Sequence, residues 1–521
     1  MIEIKKLVKN WKKTTIILFG ILSLAFLLRF FRVLVDQQPV FGDEAIYIRW
    51  AQIMRMEPGL RFLPLSDGKQ PLFMWVLIPV LKVISNPLFA GRILSVFSGS
   101  ITLLGVFFLT LILFSSKKLA LIASLIYALS PFCFFFDSMA LVDPMLSMFG
   151  VWVMVFSILT VKYYRLDLAM ITGFALGGAL LTKSPGVFFS MLIPLSVIFS
   201  QWPKSIKRKL THAIKLIGIF IPTYLIGYGM YNIQRLGVNF HLITSRNQDY
   251  IFPISHLWIN PKDPFIFHIK EIANWLWILG PGVLVFLLIL GVIVGIKKYK
   301  KETFYIGVII LFPLLVNSMY AKVFTARYIL YTLPFVFILA SLFYSFKTRL
   351  VKLLKLFLVL FIISSVFSDL LLIYDIKDAK LPKNERSGYL EEWTSGYGIK
   401  EVSEFLKLEA KDVPLGKQIV VGTEGYFGTL PDGLQMYVAG IPQITVIGVG
   451  LDLKELPKSL EESKKFGNKT YLVINNSRLK GDPEEMNLKL VSAYPKALRT
   501  KENKEYDIFG PQEVLYFFEV E

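Results

Sequence analysis

The chain has 521 residues, of which 54% are hydrophobic and only 18% charged, and its net charge is +19. Soluble domains carry about 25% charged residues, so most of this chain is excluded from that class. The positive charge sits in short segments between apolar runs, the placement that orients membrane proteins, and this excludes nucleic acid as the partner.

Five lysines, Lys5, Lys6, Lys9, Lys12 and Lys13, precede the first apolar run. That run is long, contains Arg29 and lacks a small-residue cleavage site, so it reads as a retained helix rather than a cleaved signal. Runs near the length needed to cross a hydrocarbon core of about 30 Å then recur to Tyr374. About eleven spans are expected: 15–34, 91–114, 119–136, 144–161, 168–182, 185–200, 213–231, 275–296, 303–320, 328–345 and 353–374. The single cysteine, Cys133, lies inside an apolar run, which rules out an internal disulfide and a Cys-x-x-Cys metal site.

The stretch 71–85 is kept out of the spans. It opens on Pro71, contains Pro79, carries Lys82 near its end and includes Trp75. Tryptophan favours the membrane interface, so a helix lying along the surface is expected. Charge supports the choice. With the N-terminus inside, the inner segments 1–13, 115–118, 162–167, 201–215, 297–301 and 346–355 hold 22 lysines and arginines in 53 residues, against 12 in 115 for the outer loops. Counting 71–85 as a span would reverse every later loop and turn the basic clusters outward, against the positive-inside rule.

The expected fold is therefore an α-helical integral membrane protein with outer-face surface helices and an extracytoplasmic tail. The membrane part is 1–375 and the tail 376–521. In the tail, β-rich runs at Gln418–Gly422, Ile444–Gly448, Thr470–Asn475 and Glu513–Val520 alternate with helical patterns at Ile399–Ala410 and Lys454–Lys465, as in a small α/β domain. The orientation places loop 35–70, the turn at Asp143, loop 232–274 and the Arg327–Tyr328 corner on one outer face.

The polar residues on that face are candidates for chemistry. Asp43 and Glu44 open a helical pattern after the first span. Carboxylates there cap free N–H groups and favour the helix dipole, or one of them takes a proton from an acceptor. Asp143 precedes Pro144, which makes it a natural N-cap. Its closeness to hydrocarbon also marks it as a site residue. Lys69, Arg92, Lys183 and Arg327 are cations at the same level. Each alone reads as a snorkelling residue; together they can hold an anionic lipid phosphate, whose charge grows as it leaves. His241, His256 and His268 share one loop, but their spacing matches no standard zinc pattern. Asn468-Lys469-Thr470 matches a glycosylation sequon.

Taken in order, these pieces resemble the GT-C superfamily of polyprenol-phosphate-sugar glycosyltransferases, in particular its protein-mannosyltransferase and aminoarabinose-transferase branch. The matching segments are Asp43-Glu44-Ala45, Gly68-Lys69-Gln70-Pro71-Leu72, Ala90-Gly91-Arg92, Ala140-Leu141-Val142-Asp143-Pro144, Leu181-Thr182-Lys183-Ser184-Pro185 and Ala326-Arg327-Tyr328. Gln70 stands where the family more often has proline. The resemblance implies a GT-C fold, Asp43 as the base, Asp143 as the second acidic site residue, and Lys69 and Tyr328 beside the donor phosphate. It also implies a polyprenyl-phosphate sugar donor, a lipid, glycan or protein acceptor, and an inverting reaction at the outer face of the cell membrane. No nucleotide motif is present and catalysis needs no nucleotide; no cofactor is assigned, and a divalent cation bridging carboxylates and phosphate is compatible with the pattern, its ligands unspecified. Two other readings stay open. A transporter or flippase of lipid-linked sugars would need polar residues near the bilayer midplane, whereas a glycan polymerase or ligase would share the substrate class.

Overall fold

The computed structural model describes residues 11–346, 351–501 and 503–521. Lys5, Lys6 and Lys9 of the basic N-terminal segment, and 347–350 of the expected inner segment 346–355, lie outside the described residues. The chain forms two compact units. One contains the helix Trp11–Val35 with Leu60–Trp75 and Arg92–Tyr374; the other contains Asp36–Gly59, Val76–Gly91 and Asp375–Glu521. Beside the tail, the second unit thus takes in two segments from the N-terminal part of the chain.

A five-stranded sheet organises the second unit. Its strands are β1 (Ile419–Glu424), β2 (Ile444–Gly450), β3 (Lys469–Asn475), β4 (Leu488–Leu498) and β5 (Gln512–Val520), in the order β2-β1-β3-β5-β4. The interior strand β1 is parallel to β2 and β3, and β5 is antiparallel to β3 and β4. Ile419-Val420-Val421 reads as an unbroken apolar run because β1 is buried along its whole length. Strand β4 escapes a sequence search because Pro495 and alternating polar residues interrupt it, a composition that edge strands tolerate. The helix Thr429–Val438 also went unforeseen. It packs on Gly42–Met56, where Arg49 Nε bonds Gln435 Oε1 at 3.2 Å and Gln52 Nε2 bonds the Met436 carbonyl at 2.9 Å. The segment carrying Asp43 is thereby docked within the tail's own fold.

A buried ionic knot closes the same unit. Arg499 donates to both carboxylate oxygens of Glu392 at 3.0 Å and pairs with Glu513. Lys496 donates to the Glu392 carbonyl at 3.1 Å, and burial pushes its ammonium down to about 8.

The first unit is helical. Among the described residues, seven helices are long and apolar enough to cross a membrane: Trp11–Val35, Pro87–Phe114, Val142–Tyr163, Ile206–Leu236, Lys300–Tyr320, Ala326–Ser345 and Lys355–Tyr374. The other four expected spans fall on shorter or broken helices. The run 119–136 is divided at Ser130-Pro131, and 168–182 and 185–200 fall on Leu166–Thr182 and Gly186–Phe199. The expected span 275–296 is not one straight helix: Phe265–Ile278 and Val283–Lys298 meet at 107°. Gly280-Pro281-Gly282 is the cause, because Gly282 has φ +50° and proline cannot continue the hydrogen-bond ladder. The helix Leu72–Val83 has twelve residues and reaches about 18 Å, too short to cross.

The apolar helices carry charges that must be satisfied internally. Arg29 is 1% exposed and Asp137 fully buried. Arg29 Nε lies 3.1 Å from Asp137 Oδ2, and its Nη1 donates to the Ala128 carbonyl at 2.9 Å. The Tyr127 hydroxyl donates to the same Asp137 oxygen at 2.9 Å. One turn later, Arg32 donates to the carbonyls of Phe135 at 3.0 Å and Leu372 at 3.3 Å. The first helix is thus tied to the third apolar run and to the last helix. Cys133 sits among these residues as a small buried apolar side chain.

Breaking a buried ion pair by removing one partner costs about 3–5 kcal/mol, while an apolar pair of similar volume is often tolerated. Arg29→Met should therefore lower the melting temperature in detergent sharply, and Arg29→Met with Asp137→Leu should regain much of that loss. Equal melting temperatures for wild type and Arg29→Met would show that the pair carries no stability.

Candidate functional site

The first unit sets a group of cations against two carboxylates, Asp67 and Asp143. The tight turn Leu63–Asp67 ends at Gly68, in the left-handed region at φ +64°. A Cβ at position 68 would come within 2.5 Å of Arg246 Cβ and 2.8 Å of the Leu242 carbonyl. Only glycine therefore lets the turn lie against the helix Leu242–Tyr250. That packing sets Lys69 beside the helix: its Nζ is 5.8 Å from the Tyr250 ring centre and 3.9 Å from Asp67 Oδ2. Asp67 Oδ1 is in turn 3.0 Å from Arg246 Nε.

The next residue joins this turn to a second loop. Gln70 is buried and donates through Nε2 to Ser184 Oγ at 2.9 Å; Ser184 donates to Asn247 Oδ1 at 3.4 Å. Gln70 can make this bond where a proline could not, so the departure from the family pattern has a structural use. Lys183, beside Ser184, donates to Asp143 Oδ1 at 2.6 Å. Its Nζ also lies 4.2 Å from the centre of the Tyr328 ring, and the Arg327 guanidinium lies 5.5 Å from the same ring.

Asp143 does not act as the expected N-cap. The helix Val142–Tyr163 is capped at Leu141 without a side-chain bond, and Asp143 lies in its first turn. Its carboxylate turns to Lys183 instead, because a half-buried ammonium at 2.6 Å is a stronger partner than a backbone N–H. Asp143 Oδ2 has no hydrogen-bond partner among the described residues.

The ammonium of Lys183 is held below its ordinary range. Burial is the largest cause; Arg327 and Lys69 push the same way, while Asp143 opposes. This ties Lys69, Lys183 and Arg327 into one electrostatic group with a single carboxylate partner for Lys183. Such a group favours an added anion.

The other expected residues stand as follows. Arg92 is buried, near the start of Pro87–Phe114. Asp43 and Glu44 belong to the second unit, in the first turn of Gly42–Met56. Glu44 is fully buried and its Oε2 accepts from the Phe41 backbone N–H at 3.0 Å, a capping bond. Asp43 is half-buried. The loop histidines have separate partners: His256 bonds the Asp263 carbonyl at 2.7 Å and His268 the Ser318 carbonyl at 3.1 Å. Among the described residues no three of His, Cys, Asp and Glu are grouped to hold a metal ion. Arg246, Asn247 and Tyr250 went unnoticed in the sequence. Their signal was the unbroken polar run Arg246-Asn247-Gln248-Asp249 ahead of Tyr250.

Residues 68–226 match a family model described as dolichyl-phosphate-mannose-protein mannosyltransferase. The match includes Lys69, Arg92, Asp143 and Lys183. No curated protein matches at a significant level. Among solved structures, ArnT from Cupriavidus metallidurans bound to undecaprenyl phosphate superposes with a TM-score of 0.57 at 13% identity, covering 97% of this chain and 98% of that one. The same protein in its apo state gives 0.54 at 12% identity, with 96% and 97% covered. Residues 68–226 thus carry the likeness to the mannosyltransferase family model, and over nearly its whole length the chain is similar in fold to ArnT.

Proposed function

We propose that the chain transfers a sugar from a polyprenyl-phosphate donor to a lipid, glycan or protein acceptor at the outer face of the cell membrane, with inversion at the anomeric carbon. The observation that carries this reading is the electrostatic grouping of Lys69 and Arg327 with Lys183, which pairs with Asp143. The undecaprenyl phosphate bound to ArnT, a protein of the same fold, supports the donor class.

The acceptor O–H or N–H attacks the anomeric carbon while Asp43 takes its proton. The bond from that carbon to the phosphate oxygen breaks, and the lipid phosphate leaves with the bonding electrons. A single displacement inverts the centre. Negative charge grows on the leaving phosphate, and cations fixed beforehand stabilise it without reorganising. Lys69 and Lys183 supply point charges, Arg327 a planar fork, and Arg92 a further buried cation. Tyr328, against both Lys183 and Arg327, keeps their heads apart. Asp143 holds Lys183 charged and offers its second oxygen to the acceptor or to a cation. Glu44, engaged with the backbone, shapes the helix start and leaves proton transfer to Asp43.

Orientation is open to a direct test. Ser66 and Ser205 are exposed and Cys133 is buried, so the native thiol need not be removed. A cysteine at position 66 should react with an impermeant thiol reagent in intact cells, and one at 205 should react only after lysis. The opposite pattern would place the chemistry on the inner face.

The phosphate site makes a prediction about pH. A lysine with a lowered pKa loses its charge at lower pH than a free lysine, so kcat/KM for the donor should fall on the alkaline side. Asp143→Asn removes the group that opposes the lowering, and the fall should move to lower pH. Lys69→Ala removes a like charge, so its fall should move to higher pH, with kcat/KM reduced about tenfold or more for a lost charge-assisted contact. Profiles of identical shape in all three proteins would separate Lys183 from donor use.

Asn caps about as well as Asp, so Asp43→Asn should fold normally. A general base contributes about 10²–10⁴ in rate, and transfer should drop by that factor with donor binding little changed. Glu44→Gln should lose less. Full transfer by well-folded Asp43→Asn protein would remove the base assignment.

A further inference from the structure

The second unit contains a cavity of about 730 Å³ that the transfer reaction leaves unused. Arg55, Lys82, Lys400, Lys407, Gln52 and Glu404 line it, so four cations face one carboxylate. Lys400 is partly neutralised by Asp36, 2.9 Å away; the excess rests on Arg55, Lys82 and Lys407. Arg55 Nη1 donates to the Leu81 carbonyl at 2.8 Å, which fixes the end of Gly42–Met56 against the end of Leu72–Val83. Asp43 lies twelve residues earlier on the same helix, about 18 Å along its axis, so this cavity is separate from the proposed base. Gln52 spends its Nε2 on the Met436 carbonyl, and its Oε1 is buried with no hydrogen-bond partner among the described residues.

The rim says what comes to it. Ser85, Asn86 and Pro87 also line the cavity, and Pro87 opens the 28-residue helix Pro87–Phe114, long and apolar enough to cross a membrane. The start of such a helix is where lipid headgroups would meet it. Beside Lys82, Val83 is 86% exposed, and a cation next to an exposed apolar side chain is the pattern of a surface-lying helix.

We propose that this cavity binds the head of an anionic phospholipid from the surrounding bilayer, its phosphate on Lys82, Lys407 and Arg55 and a headgroup hydroxyl donating to Gln52 Oε1. Burial holds the Lys407 ammonium below its ordinary range, with Glu404 opposing, and a bound phosphate would relieve that cost. The site stands apart from sugar transfer: it would hold this unit at the membrane surface whatever the acceptor.

Native mass spectrometry of the full-length protein from lipid discs of equal phosphatidylcholine and phosphatidylglycerol tests this. Lys82→Gln with Lys407→Gln should lower phosphatidylglycerol retention roughly 30-fold, two surface charges at about fivefold each, and leave phosphatidylcholine unchanged. Lys82→Arg with Lys407→Arg should retain most of the lipid, which separates loss of charge from loss of fold. Lys411→Gln with Lys501→Gln, exposed elsewhere in the unit, should behave as wild type. Equal retention by the charge-removing variant, or equal loss in the control, overturns the proposal. Displacement by excess soluble glycerol phosphate would also overturn it, assigning the cavity to a soluble phosphate ester.

Discussion

A charge placed among apolar helices has to find its opposite within reach, since neither lipid nor packed side chains can solvate it. That constraint shapes the membrane unit. Arg29 and Asp137 answer it with a structural pair whose remaining donors are spent on carbonyls. Lys183 and Asp143 answer it differently. Each pair leaves one carboxylate oxygen, Asp137 Oδ1 or Asp143 Oδ2, without a hydrogen-bond partner among the described residues. What sets the second pair apart is that two other cations press on its lysine.

The two pairs also show what a sequence can disclose. Lys69, Asp143, Lys183 and Arg327 stand out because each is a charge at the edge of an apolar run, and their order carries a family resemblance. Asp137 stands at the end of Phe134-Phe135-Phe136 and looks like any loop residue, because its partner Arg29 is 108 positions earlier. Arg246 was hidden for a similar reason: its relation to Lys69 passes through Gly68 and Asp67, a contact between distant loops. Periodicity located the apolar helices, but it does not distinguish a straight span from one bent at Gly280-Pro281-Gly282, since the apolar residues continue on both sides.

The sheet unit was legible where strands are buried on both faces, as in β1, and illegible where they alternate at an edge, as in β4. Less expected was the recruitment of Asp36–Gly59 into that unit. The helix bearing Asp43 reads in sequence as an appendage of the first span. Its packing partners are Gln435 and Met436, nearly four hundred residues later, and no local pattern reports a contact of that range. The capping role of Glu44 was, by contrast, a local matter, and the adjacency of two acidic residues at a helix start already contained it.

Gly68 gives the site a mechanical property beyond its charges. With 2.5 Å from a would-be Cβ to Arg246 Cβ, any side chain at position 68 would push the turn and the helix Leu242–Tyr250 apart. It would carry Lys69 away from Arg246 as well. The spacing of these two positive charges is thus written into a residue with no side chain at all.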